Sequence, residues 1–498
     1  MAVTIMNRQP AVLVSVLVFL SLGHSLSILV VGVYANWPPY RTVIGPQSVI
    51  VITVDFSDTV GAFSTESVRD MIFIKISSYF REASYNKTWI GGDVTRKWYQ
   101  LTGTSADHMW DGKTNPWRYF EAFISSVIRL ADDEINYLKY PFVAIVHSGR
   151  WRYNFGFVDP YTVRTGEGKL TLNVAIISAY QPEGVFAHEF AHIFGNMPDM
   201  FNLTDAEYST RYVGPWCLMS ESVRYLQHLS SWCKIKMGWI PPHGVAIAPW
   251  RQNLTVVVDP LELPSPGIHA LKIPLTMDTY YLVEVRQKIG FDRCLPDEGV
   301  VIYLVDETKT GSGQSVLTVQ DSGPETRTRN DAPFDLRPGK PAAFFDRDND
   351  VSIVIVGKRG SSYKIFVGPV GQGEIAVKQS QKFLRVMEAI QEATASIEKA
   401  AAEGRTEGIQ KAKWLLANAT TAFEKGDYET GASLANQAKN AADAAVKPAT
   451  SVAPKTVTST ETSQLTAFNL APYATAGAAA VLIIVLLAVA RKRMKTKA

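Results

Sequence analysis

The sequence predicts an α+β protein built as a series of segments: an α/β region, a β-rich region, a helical stalk and an apolar span near the C-terminus. Three observations carry this reading. Apolar strand-like runs alternate with helical patterns over residues 45–245. Short β-branched runs punctuated by Pro, Gly and Asp follow over residues 246–370. Composition then turns to Ala, Glu, Lys and Gln at helical spacing over residues 378–446.

Residues 1–35 carry Arg8 and a long apolar run over 11–33, the pattern of a signal peptide or N-terminal anchor. In the α/β region, Val49–Phe56, Ile72–Tyr79, Tyr119–Leu130 and Phe142–His147 are apolar runs of strand or helix character. Together they are long enough to bury a core of their own.

The most informative stretch is His188-Glu189-Phe190-Ala191-His192. On a helix, residues four apart share a face, so both imidazoles can reach a single metal ion at about 2.0–2.1 Å. Glu189 then stands beside the ion, where it can take a proton from a water activated there. The flanks are apolar almost all round, from Val185 to Phe194, so the helix is expected to be buried. Buried histidines and a buried glutamate need partners, and a zinc ion supplies them. Pro182 and Glu183 suit a helix start, and Gly195 is expected to end the helix in the left-handed conformation. Zinc hydrolases use three protein ligands, and Asp199, Asp205 and Glu221 are the candidates for the third. Met219 reads as the apolar floor of a site or as plain core filling. Tyr208, Tyr212 and Tyr225 are the candidates for stabilising a developing oxyanion.

At this point the chain resembles the immune inhibitor A family of secreted metallopeptidases, within the metzincin-like group. The residues that carry the resemblance are spread over roughly 48–368. They are Val51-Ile-Thr-Val-Asp-Phe-Ser-Asp58, Val143-Ala-Ile-Val-His-Ser-Gly149, Gly184–His192, Trp216-Cys-Leu-Met-Ser220, Lys236-Met-Gly-Trp239 and Gly299-Val-Val-Ile-Tyr-Leu-Val-Asp306. The resemblance implies a zincin-like catalytic domain that acts on protein or peptide substrates. It also implies zinc held by His188, His192 and Asp199, with Glu189 as general base. Where the family runs Gly-x-Pro-Asp, this chain has Gly195-Asn-Met-Pro-Asp199, one residue longer.

In the β-rich region, Leu254–Val258, Ala270–Ile273, Tyr280–Val285, Val300–Val305, Val351–Val356 and Tyr363–Val367 predict a β-sandwich-like domain. Asp346-Arg-Asp-Asn-Asp350 is a candidate calcium (Ca2+) loop or an Asp-rich turn, and the turn is the favoured reading. Phe383, Val386, Ile390 and Ile397, then Ile409, Leu416 and Phe423, predict two or three antiparallel helices broken at Gly404 and Gly426. Residues 448–468 read as a Thr/Ser/Pro-rich tether.

Tyr473–Ala490 is apolar for 18 residues, enough to span a bilayer, and residues 491–498 form a basic tail that marks the inner side. The expectation is a single-pass C-terminal anchor in the cell membrane with the rest of the chain outside. The net charge of +3 comes from 50 basic and 47 acidic residues; without Arg8 and the five basic residues of the tail, 44 remain against 47, about −3. Nothing in that balance points to nucleic acid. Three cysteines make no disulfide framework, although Cys217 and Cys233 could bridge.

The leading expectation is a membrane-anchored extracellular zinc endopeptidase (Zn2+). The alternatives are a peptidase fold with an impaired site kept as a cell-surface binding module, and a zinc hydrolase acting on a non-peptide bond.

Overall fold

A computed structural model describes residues 39–448, except 62, 110–115, 152–153, 158, 201–211, 222–225 and 310–314. The expected signal segment, the tether, the span Tyr473–Ala490 and the basic tail lie outside the described residues. Among the described residues no helix is long and apolar enough to cross a membrane. The fold is mixed α+β, with three sheets and helices on several faces.

The first sheet contains β1 (Gly45–Asp55), β2 (Thr88–Val94), β3 (Tyr99–Gln100), β4 (Phe142–His147), β5 (Phe155–Gly156), β6 (Tyr161–Thr165) and β7 (Gly168–Ser178). Its path runs β2-β1-β4-β7-β5, with β3 paired to β1 and β6 to β7. The pairs joining β1 to β2, β3 and β4 and β4 to β7 are parallel, while β5 and β6 run antiparallel to β7. Both faces are covered. Val49, Val51, Ala144, Val146, Ala175 and Ile177 enter one core, and Ile50, Ile52, Val143, Ile145, Val174 and Ile176 enter another. Burial on both sides explains why these strands read as continuous apolar runs rather than alternating ones.

A continuous helix covers the first core. It comprises α1 (Thr65–Arg69), a π-helical middle over Asp70–Ile76 and α2 (Ser77–Ala83). The expected run Ile72–Tyr79 lies in it. Helix α3 (Pro116–Leu130) covers the opposite face, and Phe123, Val127 and Ile128 point into the second core. Helix α4 (Glu183–Gly195) follows β7 and joins the first core together with α5 (Ser231–Lys236).

The second sheet, ordered β13-β12-β11-β10-β8, comprises β8 (Val245–Ile247), β10 (Ala270–Pro274), β11 (Thr279–Arg286), β12 (Gly299–Asp306) and β13 (Leu317–Gln320). The third, ordered β14-β15-β16-β9, comprises β9 (Leu254–Val258), β14 (Ala343–Asp346), β15 (Val351–Arg359) and β16 (Ser362–Gly368). These two sheets share a core in which Tyr281, Val283 and Ile302 meet Ile353, Ile355 and Ile365, so the expected sandwich is present. The second sheet also uses its other face. Tyr280, Leu282, Val301, Tyr303, Val305, Leu317 and Val319 belong to the same core as α4. The α/β and β-rich regions are therefore fused through a common interior, and the described residues through Val446 form one compact unit.

The turn at Asp346–Asp350 uses its carboxylates on itself. Asp346 accepts the Asp348 and Asn349 N–H groups at 3.1 Å and the Tyr281 hydroxyl at 2.7 Å, and Asp350 accepts the Val370 N–H at 3.0 Å. This is the Asp-rich turn of the sequence reading. Helix α6 (Val370–Ala402) starts eight residues earlier than the change of composition at 378 suggested, directly after Pro369. It is followed by α7 (Ile409–Glu424) and α8 (Tyr428–Asp443), with Gly404 and Gly426 at positive φ at the breaks. The stalk interior is largely alanine, with Ala412, Ala419, Ala435, Ala438 and Ala442 fully buried.

Candidate metal centre

Helix α4 begins after Pro182, which lies in the extended region, and every residue from Gly184 to Gly195 is buried. His188 and His192 stand one turn apart with ring centroids 4.6 Å apart. Each uses its Nδ1 on a backbone carbonyl, His188 on Leu218 at 3.0 Å and His192 on Met197 at 2.6 Å. Those carbonyls set the tautomer: Nδ1 carries the proton and Nε2 presents a lone pair. The two Nε2 atoms point at each other across 2.9 Å. Asp199 Oδ1 lies 3.0 Å from His188 Nε2 and 3.4 Å from His192 Nε2.

These spacings are those of hydrogen bonds shared through protons, and they are also close to those of ligands around one cation. Four ligands at about 2.0–2.1 Å in a tetrahedron are separated by about 3.3 Å. The two imidazoles and the Asp199 oxygen are close to that spacing, so the donor set and the two carbonyls behind it fit a zinc ion. Without a metal, the Asp199 carboxylate and the histidines support one another's charged forms. Burial would raise the Asp199 carboxyl, but His192 and His188 outweigh it and hold it below its ordinary value. Burial would likewise lower His192, and the Asp199 charge outweighs it.

Glu189 is fully buried, and both of its carboxylate oxygens lack a hydrogen-bond partner among the described residues. Burial raises its pKa, against the pull of His188 and His192. His188, Glu189 and His192 offer ligand atoms within 4.8 Å of one another.

The loop after α4 differs from expectation by one position. Gly195 remains helical, and Asn196 is the left-handed residue, at φ 57° and ψ 35°. Asparagine tolerates that conformation better than most residues. Gly195 instead packs closely, since a Cβ there would lie 3.0 Å from Met237 Cε. The helix therefore runs one residue further, and Asp199 reaches both imidazoles despite the longer spacing.

Other expected residues fall as follows. Met219 is fully buried in the turn beneath the helix, and its carbonyl accepts the Met200 N–H at 2.9 Å. Its neighbour Leu218 supplies the carbonyl that holds His188. Glu221 is buried just after this turn and donates its N–H to the Cys217 carbonyl at 3.1 Å. Tyr212 is partly buried, and its carbonyl accepts the Val319 N–H at 2.9 Å, tying this segment to the edge of the second sheet. Asp205, Tyr208 and Tyr225 lie outside the described residues.

One site residue escaped the sequence reading. Gly156, in the two-residue edge strand β5, lies directly over α4. A Cβ there would sit 2.5 Å from the Glu189 carbonyl oxygen, 2.7 Å from His192 Cβ and 3.1 Å from Glu189 Oε2. Two residues are too few to show a period, and the Phe-Gly-Phe run at 155–157 was the available signal.

No protein-family model matches the chain, and no curated protein matches it.

Proposed function

We propose that the chain is a zinc-dependent endopeptidase, with His188, His192 and Asp199 as the metal ligands and Glu189 as general base. The observation that carries this reading is Glu189. A buried carboxylate without a hydrogen-bonding partner costs on the order of 1–3 kcal/mol or more. Such a cost is hard to explain in a purely structural residue, and it makes sense where the partner is a reacting water. Bound zinc would supply Lewis-acid polarisation of a carbonyl and a water of lowered pKa. Glu189 would take the proton from the attacking water and return it to the leaving amine. The Leu218 and Met197 carbonyls would keep both imidazoles oriented, and Gly156 keeps the space over Glu189 open.

The terminal segments fit a protein held at the outer face of a membrane, with the basic tail inside and the tether as spacer. The family resemblance suggests proteins or peptides as substrates.

The test is zinc content and casein cleavage by residues 36–446, beside Glu189→Gln. About one zinc per chain in both proteins, with cleavage lost in the variant, supports the peptidase. Zinc with no cleavage of casein or a peptide library by the parent chain moves the reading to hydrolysis of a non-peptide bond. Absence of zinc from the parent chain refutes the reading and leaves a binding module.

A further inference from the structure

Cys217 and Cys233 meet beneath the metal centre. Cys217 follows the short helical turn Gly214–Trp216, Cys233 lies in α5, and both side chains are fully buried. Both are thiols, with their Sγ atoms 3.9 Å apart. Ser230 bridges them, placing its N–H 3.5 Å from the Cys217 sulfur and its hydroxyl 3.5 Å from the Cys233 sulfur. A disulfide bond is about 2.05 Å long, so the remaining approach is of the size that side-chain rotation provides.

The two sulfurs are not equivalent. Burial raises both, but the hydrogen bond from Cys233 and the backbone groups of Ser230 and Met219 bring Cys217 below its ordinary value, while Cys233 stays well above. In the folded chain the proton is therefore held more firmly on Cys233 than on Cys217.

The pair also sits at a mechanically informative place. The Trp216 carbonyl, one residue before Cys217, accepts Arg286 Nη1 at 2.5 Å and the Tyr303 hydroxyl at 3.2 Å. The Leu218 carbonyl, one residue after, holds His188. The turn is therefore anchored to β11 and β12 on one side, and the cysteine pair is its link to α5 on the other.

We propose that Cys217 and Cys233 form a disulfide, and that this bond stiffens the turn carrying the Leu218 carbonyl and so tightens metal binding at His188. The second half rests on the metal-site reading above; the first does not. The bond forms by exchange with an external disulfide, of a small molecule or of an oxidising protein. Cys217, after losing its proton to solvent in the open chain, attacks one sulfur of the donor and expels the other as a thiolate. Cys233, giving its proton to that leaving thiolate, then attacks the Cys217 sulfur and expels the second. Two protein thiols are oxidised to one disulfide, and the donor is reduced to two thiols. Burial places this step during folding, before α5 closes over the pair. An exposed outer face, as proposed above, is the compartment where such bonds persist.

The experiment uses the full chain carrying Cys294→Ser, which removes the exposed third thiol. One preparation folds with oxidised and reduced glutathione, and the other is kept under reductant throughout. Alkylation in denaturant followed by mass measurement counts the thiols, and chelator competition measures affinity for zinc alone. The expected result is no alkylatable thiol and a linked Cys217–Cys233 peptide in the first preparation, with zinc held at least about threefold more tightly than in the second. The double variant Cys217→Ala/Cys233→Ala is expected to bind zinc like the reduced form. Two alkylatable thiols after folding with glutathione overturn the disulfide. Equal zinc affinity in the two preparations overturns the coupling. A disulfide present with no zinc bound by either preparation sinks the metal reading and the coupling together, and leaves the disulfide standing.

Discussion

Two buried polar clusters meet at the turn after Trp216, and they are built on opposite principles. Around Arg286 nearly every group has a protein partner. Its guanidinium donates to Asp292, Glu284, Glu262 and the Trp216 carbonyl. Glu284 also accepts the Tyr303 hydroxyl and the Ser231 N–H, and Asp292 accepts the His228 N–H. Lys234 donates to the Leu261 carbonyl at 2.8 Å. Around His188 the arrangement is reversed: lone pairs converge, and Glu189 has no hydrogen-bond partner among the described residues. Interior charge alone therefore says little about function. The Arg286 cluster joins β11 to α5 through groups that mostly satisfy one another, whereas in the His188 cluster electron-rich atoms face one another, the arrangement that the proposed metal would use.

The largest expected effect tests that contrast at Glu189. Glu189→Gln keeps the volume and removes the base, so cleavage should fall by about 10²–10⁴-fold. Stability should hold or rise by about 1 kcal/mol, because an amide is easier to bury than an ionised carboxylate. Thermal unfolding of both proteins without metal checks this. A clear loss of stability would mean that Glu189 is structural after all.

Arg286→Met should do the opposite. It strands Asp292, Glu284 and Glu262 in the interior, and removing one partner of a buried ion network costs about 3–5 kcal/mol. Denaturant unfolding measures it. An unchanged midpoint would show that the saturated cluster is not what joins the second sheet to α5.

The parts legible in the sequence were those where one element's own pattern suffices. β4 and β9 occupy the very residues that their apolar runs marked, and α4 was readable from its unbroken apolar flanks. Fusion of the two halves was not read, because it is tertiary. A signal existed in Tyr280-Tyr-Leu-Val-Glu-Val285, which is apolar on both faces of its strand, as a strand between two cores must be. β5, β13 and β14 are two to four residues long and carry too little period to detect. At the centre, the paired histidines and Glu189 were visible from spacing. Their supports were not, since Leu218 and Met197 act through backbone carbonyls that any residue could supply.

Gly156 sharpens the comparison from the open side. Gly156→Ala introduces a Cβ 2.5 Å from the Glu189 carbonyl and 2.7 Å from His192 Cβ, so β5 or α4 must shift. Overpacking of this kind costs about 1–3 kcal/mol. Chelator competition should show weaker zinc binding as well as a lower unfolding midpoint. A stable variant with unaltered zinc affinity would show that the site tolerates movement of the strand above it.

His147 belongs to neither cluster and tests whether an unsatisfied buried group is always functional. It is fully buried at the end of β4, its ring centroid lies 3.9 Å from that of Trp151, and neither ring nitrogen makes a hydrogen bond among the described residues. Burial drives its pKa down to about 3; the Gly149 backbone leans the other way without reaching hydrogen-bond geometry. Unlike Glu189, it is a neutral ring among aromatics, and no convergent donor set surrounds it. Below its unfolded value of about 6.5 the unfolded chain takes up a proton that the folded chain refuses, so stability falls as pH drops from about 6.5 toward 3. Between pH 6.5 and 5 the loss should be about 1.6 kcal/mol, since the slope rises from half of 1.36 kcal/mol per pH unit to nearly all of it over that range. His147→Phe should remove its share of that slope, leaving what His228 and His269, also lowered by burial, contribute, while zinc binding at neutral pH stays unchanged. A variant that instead loses zinc would place His147 with the metal centre, and the rule that convergence rather than mere burial marks the site would fail at its simplest case.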